Sequence, residues 1–248
     1  MKIMTVVYLT ALAAVAAIAP RADAEQLGIL QATLAETNQK TSEVSTGELR
    51  RILDDRSAIV LDTRSREEFD AGHIPGARHV DAPPSEKIVA VSRLLNGDKT
   101  AALVLYCNGP FCQASRRFAD DLVAASFTNV RRYQLGIPVW RALGGPIEIE
   151  LEGITRIYGV DRTAVFIDAR GAEEFSKKTI PGARNLRPDT LGATIKTMMS
   201  GQLKDAPLPL DDFNRRIVLV GADGSQARKM ADAMSTRPWH NVAYYSGT

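Results

Sequence analysis

Cysteine and histidine are scarce in this chain: two cysteines and three histidines in 248 residues. His79 and His240 have no companions at metal-ligand spacing, so no metal site is expected, and no other cofactor is expected. Charge of one sign is also missing. The formal net charge of +2 is too small to argue for nucleic acid or an anionic membrane as a partner. Past the N-terminus there is no second long apolar run. Both cysteines lie in one loop, where a bridge would add little to stability, so their placement favours chemistry over stapling. What is present in quantity is apolar residue, 45% of the chain, enough for an ordinary globular core.

The one long apolar run opens the chain. Lys2 supplies a small positive region, residues 6–19 are alanine-rich and apolar, and Ala22-Asp23-Ala24 has the form of a cleavage site. Residues 1–24 read as a signal peptide, which predicts export to a periplasm and no stable membrane association after cleavage. An uncleaved anchor is the alternative, although the run is short for a span. No neighbouring cysteine allows a lipoprotein anchor, and no Arg-Arg pair marks the twin-arginine route.

The remaining residues, roughly 220 of them, suffice for two domains, and the sequence repeats itself. Val60-Leu61-Asp62-Thr63-Arg64 returns as Phe166-Ile167-Asp168-Ala169-Arg170, Glu67-Glu68-Phe69 as Glu173-Glu174-Phe175, and Ile74-Pro75-Gly76-Ala77-Arg78 as Ile180-Pro181-Gly182-Ala183-Arg184. Gly47 and Arg50 match Gly153 and Arg156 at the same offset. A repeat of this length is a domain, not a solenoid unit. The expected division is residues 25–152 and 153–248.

Within the first copy, residues 45–53 predict a helix with Ser45 as N-cap and Glu48 closing a capping box. Residues 58–61 predict a strand ending at Asp62, and 66–70 a short helix. Residues 84–95 carry Ile88, Val91, Leu94 and Leu95 at helical spacing. Residues 102–106 predict a strand, 114–125 a helix and 130–133 a further strand. Short apolar strands alternating with helices predict an α/β fold: in each copy, a mainly parallel sheet with helices on both faces. In the second copy the strand 217–220 leads into Gly221-Ala222-Asp223-Gly224-Ser225 and a helix over 226–234. Gly221 stands where the first copy has Cys107, and the loop is two residues shorter. Asp223-Gly224-Ser225 lacks any base and reads as an ordinary loop.

Cys107 ends the apolar run Leu103-Val104-Leu105-Tyr106 and opens Cys107-Asn108-Gly109-Pro110-Phe111-Cys112-Gln113. A thiol at the carboxyl end of a buried parallel strand sits where ligands bind in such sheets. Loop N–H groups and the start of the next helix favour negative charge there, which lowers the cysteine pKa and stabilises a thiolate or its persulfide. The loop has no charged side chain. Its nearest cations are Arg116, a candidate for anion binding, and Arg117, read as a solvated arginine. Asp62 and Arg64 follow a neighbouring strand and are expected to brace the loop. His73 reads as structural, and Glu67-Glu68 as a solvated face.

Asp62-Thr63-Arg64, Glu68-Phe69, Gly72-His73-Ile74-Pro75-Gly76-Ala77, the strand-borne Cys107 and Gly136-Ile137-Pro138-Val139-Trp140 together resemble the rhodanese family of sulfurtransferases, in its tandem-domain form. The second copy is a degraded match, with Thr179-Ile180 where the family usually has His-Ile, and without a nucleophile it is expected to be inactive. The resemblance implies that Cys107 attacks the outer sulfur of a small donor, becomes a persulfide and passes sulfur to a thiol or cyanide. Asn108, Gly109, Pro110, Phe111, Cys112, Gln113 and Arg116 would bind the substrate. Many members carry an arginine late in the loop; Cys112 stands there instead, which leaves thiosulfate in question as the donor. Cys112 has three readings: small apolar filler, resolving thiol, or half of a regulatory disulfide. Two other functions stay open, a thiol–disulfide redox protein using Cys107 and Cys112, and a non-enzymatic persulfide carrier for an acceptor protein. A phosphatase of the related cysteine-loop type lacks the arginine needed at the loop end.

Overall fold

The computed structural model describes residues 39–203 and 205–247; the segment read as a signal peptide lies outside them. Two five-stranded sheets follow one another along the chain. The first is built from β1 (Ser42–Glu43), α1 (Thr46–Asp55), β2 (Ile59–Asp62), α2 (Arg66–Asp70), β3 (Arg78–His79), α3 (Lys87–Leu94), β4 (Leu103–Tyr106), α4 (Gln113–Ala124), β5 (Val130–Tyr133) and α5 (Gly136–Ala142). The second uses β6 (Ile147–Ile149), α6 (Leu151–Val160), β7 (Val165–Asp168), α7 (Ala172–Lys177), β8 (Arg184–Asn185), α8 (Leu191–Met199), β9 (Ile217–Val220), α9 (Gly224–Ser235) and β10 (Val242–Tyr245). Strand order is β1-β5-β4-β2-β3 in one and β6-β10-β9-β7-β8 in the other, the same topology twice. Every pairing within the two sheets is parallel.

The central strand β4 is buried throughout, which is why its sequence is continuously apolar. Its side chains alternate between faces. Leu103 and Leu105 pack with Val91, Phe118 and Leu122 of α3 and α4. Val104 and Tyr106 turn the other way, into a core that also holds Leu49 and Ile52 of α1, Ile137 and Trp140 of α5, and Ile154, Ile157, Phe166 and Val218 of the second copy. The copies therefore share one core on their facing sides, while the outer face of the second sheet has its own.

Two expectations change. The second copy starts earlier than residue 153, because β6 pairs in parallel with β10 and already belongs to the second sheet. Its equivalent, β1, is a two-residue strand with no apolar pattern. Ser45 does cap α1, accepting from the Glu48 N–H at 3.1 Å, but the Glu48 carboxylate pairs with Arg131 at 2.6 Å instead of closing a box. The complete capping box belongs to α2, between Ser65 and Glu68.

Close contacts lock the two copies. His73 and Glu148 exchange backbone hydrogen bonds of 2.8 and 2.9 Å in a single antiparallel bridge. The Glu150 N–H donates to the Asp70 carbonyl at 3.0 Å. Gly153 passes so near Asp70 that a Cβ there would overlap its carbonyl.

Candidate active site

Cys107 is the first residue beyond β4 and is 3% exposed. A disulfide joins it to Cys112, with the Cα atoms 6.1 Å apart, inside the range such a bond accepts. The loop comes back on itself because Gly109 adopts φ +109°, and the Cys112 N–H donates to the Gly109 carbonyl at 3.0 Å. That turn removes the Cys112 N–H from the set expected to face the sulfur. The Cys107 carbonyl is held by the Ile137 N–H at 3.1 Å. Gly136, at φ +65°, allows this approach: a Cβ there would overlap Cys107 O and Gly109 N. The motif 136–140 thus supplies the back wall of the loop.

Beneath the loop lies a buried polar brace. Asp62 and Tyr106 are register partners in β2 and β4, and the Tyr106 hydroxyl donates to Asp62 Oδ2 at 2.5 Å while accepting from the Ile74 N–H at 3.0 Å. Arg64 donates Nε to Asp62 Oδ1 at 2.9 Å and Nη2 to Asp62 Oδ2 at 2.5 Å, and reaches the Gly72 carbonyl at 2.7 Å. Burial, reinforced by the Asp62 charge, pushes the Tyr106 hydroxyl well above the usual tyrosine range, so it stays a neutral donor. Asp62, Arg64 and Tyr106 thus tie the ends of β2 and β4 together, next to Cys107.

Asn108 is exposed, Pro110 half-buried, and Phe111 82% exposed at the loop tip. Gln113 and Arg117 are exposed and Arg116 half-buried, all at the start of α4. The expectation that Glu67-Glu68 is merely a solvated face needs correction. Glu68 Oε1 accepts from Asn108 Nδ2, and Oε2 from the Ser65 N–H and hydroxyl. Burial alone would raise the Glu68 carboxyl; the hydrogen bonds from Asn108 and Ser65, with the Arg64 charge, outweigh it and hold it below its ordinary value. The spacing Ser65-x-x-Glu68 was the available signal, since a capping box fixes where that carboxylate points. Glu67 pairs with Arg156 of the second copy at 2.8 Å. His73 stacks on Phe69 at 3.7 Å, and its Nδ1 meets the Phe69 carbonyl at 3.0 Å; it is structural.

The second copy repeats the brace with a different top. Arg170 binds Asp168 and the Lys178 carbonyl, and Thr179, at the place of His73, donates to Asp168 Oδ2 at 2.8 Å. Asp168 pairs with Val220 as Asp62 pairs with Tyr106, so Gly221 stands at the position of Cys107. The next helix differs too. Asp223 caps α9, accepting from the Gln226 N–H at 2.8 Å, and its carboxylate fills the place an anion would take. The N-cap of α4 is Cys112, which makes no side-chain capping bond. The positive end of α4 is therefore open to negative charge brought by sulfur, and that of α9 is not.

A family model described as "Rhodanese-like domain" matches residues 45–143 and 158–248. The chain belongs to that family. It carries the rhodanese-like domain twice, in tandem. Thiosulfate sulfurtransferase GlpE of Pseudomonas putida is 34% identical over 85 residues, 34% of this chain and 71% of that protein. An HTH-type transcriptional regulator of Mycobacterium tuberculosis is 32% identical over 108 residues, 42% of this chain and 44% of the relative. Among solved structures, the thiosulfate sulfurtransferase from Pseudomonas aeruginosa aligns over 86% of this chain and 44% of its own, at 21% identity and a TM-score of 0.40. The chain spans less than half the length of that regulator and of that solved chain.

Proposed function

We propose that this rhodanese-like protein is an exported sulfurtransferase whose first domain carries the reaction on Cys107 and whose second domain is catalytically silent. The observation that carries this reading is the contrast between equivalent loops: a cysteine before an uncapped helix in one copy, a glycine before a self-capped helix in the other. In the reduced protein the Cys107 thiolate attacks the outer sulfur of a donor, forming the S–S bond of a persulfide and expelling the remainder of the donor with the electron pair of the broken bond. A thiol or cyanide then attacks the outer persulfide sulfur and regenerates the thiolate. Asn108 to Gln113 frame the approach, and Asn108 is held by Glu68.

The disulfide supports a second feature. With Cys107 bonded to Cys112 no thiolate exists, and two electrons from a dithiol reductant are needed before sulfur can be accepted. The same bond supports the rival reading of a thiol–disulfide redox protein. Mass spectrometry of the reduced protein after exposure to a sulfane-sulfur donor separates the two. One added sulfur on Cys107 is the expected result; recovery of the internal disulfide alone, with no sulfur passed to cyanide, would overturn the sulfurtransferase reading. Export is tested by fractionation and by N-terminal sequencing, with Glu25 expected as the first residue.

A further inference from the structure

At the carboxyl edge of the first sheet lies a crevice of about 150 Å³, lined by Arg64, Glu68, Ile137 and Arg141 of the first copy and by Arg216 and Asn241 of the second. Three guanidinium groups share this small volume, and they are not equally satisfied. Arg64 is neutralised by Asp62 and also bonds the Gly72 carbonyl. Among the described residues Arg216 pairs with one carboxylate, Asp161, at 3.7 Å. The guanidinium of Arg141, half-buried in the last turn of α5, has no hydrogen bond or ion pair among the described residues. Burial first, then the charges of Arg216 and Arg64, push its guanidinium below the ordinary arginine value. The C-terminal carbonyls of the short helix α5 offset part of that charge. Glu68 also lines the crevice, but its carboxylate is already engaged by Asn108 and Ser65.

We infer that this crevice is an anion site, in which Arg141 and Arg216 take the carboxylate, sulfonate or similar oxyanion group of a small molecule. Guanidinium forks match such groups two oxygens at a time. The volume suits one oxyanion and is well below that of a drug-sized ligand. The crevice is also tied to the reactive loop, since the Ile137 N–H holds the Cys107 carbonyl and Glu68 holds Asn108. Resting on the reading of Cys107 as sulfur acceptor, the bound group is the anionic end of the sulfur donor. It supplies the positive charge that residues 107–113 lack. For thiosulfate the step balances as Cys–S⁻ plus S–SO₃²⁻ giving Cys–S–S⁻ plus SO₃²⁻.

Two measurements on the full reduced chain test this. The first is calorimetric titration with inorganic sulfate as the probe. The wild type is expected to bind saturably, with Arg141→Gln and Arg216→Gln each weakened tenfold or more and the exposed Arg93→Gln unchanged. In sulfate-free buffer Arg141→Gln should melt no lower than wild type, because it removes like-charge repulsion, and its melting temperature should no longer rise with sulfate. Equal sulfate affinity in wild type and Arg141→Gln, or lower stability of that variant without sulfate, would overturn the site. The second is single-turnover sulfur loading from thiosulfate and from an alkyl hydropersulfide, R–S–SH, which bears no oxyanion group and gives Cys–S–SH with departure of the alkyl thiolate. Arg141→Gln and Arg216→Gln should slow the first at least tenfold and leave the second unchanged. Unimpaired loading from thiosulfate in both variants sinks the donor assignment while Cys107 stands. Absence of loading in the wild type from either donor sinks the reading of Cys107, and with it the donor assignment, while the sulfate titration still decides the anion site.

Discussion

Removing the carboxylate of Asp62 is the sharpest probe of the brace, because the duplication provides its own control. Asp62 is 2% exposed and receives the Arg64 backbone N–H, Arg64 Nε and Nη2, and the Tyr106 hydroxyl. In Asp62→Ala the Arg64 side chain, itself 6% exposed, keeps its charge but loses its carboxylate, retaining the hydrogen bond to the Gly72 carbonyl, and the Tyr106 hydroxyl loses its acceptor. Breaking a buried pair in this way costs about 3–5 kcal/mol. That corresponds to a melting temperature lower by on the order of 10 °C in a chain of this size. Asp168→Ala breaks the matching pair, but the Arg170 side chain is 25% exposed and regains water, so about 1–2 kcal/mol is expected. Replacing both partners, Asp62→Ala with Arg64→Met, should recover most of the loss, since a buried pair is worth little against apolar substitutes. Urea unfolding of the reduced proteins at neutral pH gives all four values, with the slope checked for constancy. Equal losses at Asp62 and Asp168, or a double variant no better than Asp62→Ala, would refute the argument that a stranded Arg64 charge sets the cost.

Cys107→Ser should abolish sulfur loading and leave the circular dichroism spectrum intact, because a serine hydroxyl with no base is a poor nucleophile; near-native transfer would mean a different nucleophile. Cys112→Ala should transfer sulfur without reductant, whereas the wild type is inactive until reduced; identical activities across a redox titration would remove the gating role of the disulfide. Gly136→Ala should lose on the order of 1–3 kcal/mol and slow loading at least tenfold, since φ +65° and the absence of room beside Cys107 O both reject a side chain; unchanged kinetics would show that the loop does not depend on this wall. On acidification, Asp168 contributes stability that is present above its unfolded pKa of about 3.9 and lost as pH falls through its lower folded value. Burial acts to raise that carboxyl, but hydrogen bonds from Arg170 and Thr179 overcome it. Asp168→Asn should therefore flatten the loss of stability below about pH 4, as read by thermal melts across pH; an unchanged slope would dismiss it.

Sequence alone determined the tandem α/β architecture and the place of the Cys107 thiol. A four-residue apolar run such as Leu103-Val104-Leu105-Tyr106 can be satisfied only by burial on both faces, so the residue after it must emerge at a strand end, and the constant offset of the repeat put Gly221 at the corresponding place. The chain also carried the Asp62 and Arg64 pairing, because a carboxylate and a guanidinium two residues apart at such an end reach each other locally. Tertiary structure decided whatever depends on residues far apart in the chain or on backbone angles. The two sulfurs meet because Gly109 takes a positive φ and turns Cys112 back. Glu68 reaches the loop because α2 and the end of β4 are neighbours only once β2 and β4 have paired. The short β6 is a strand only because β10 accepts it. Arg141 and Arg216 share a crevice only because the two copies bury their facing sides in one core, an association that no local periodicity encodes.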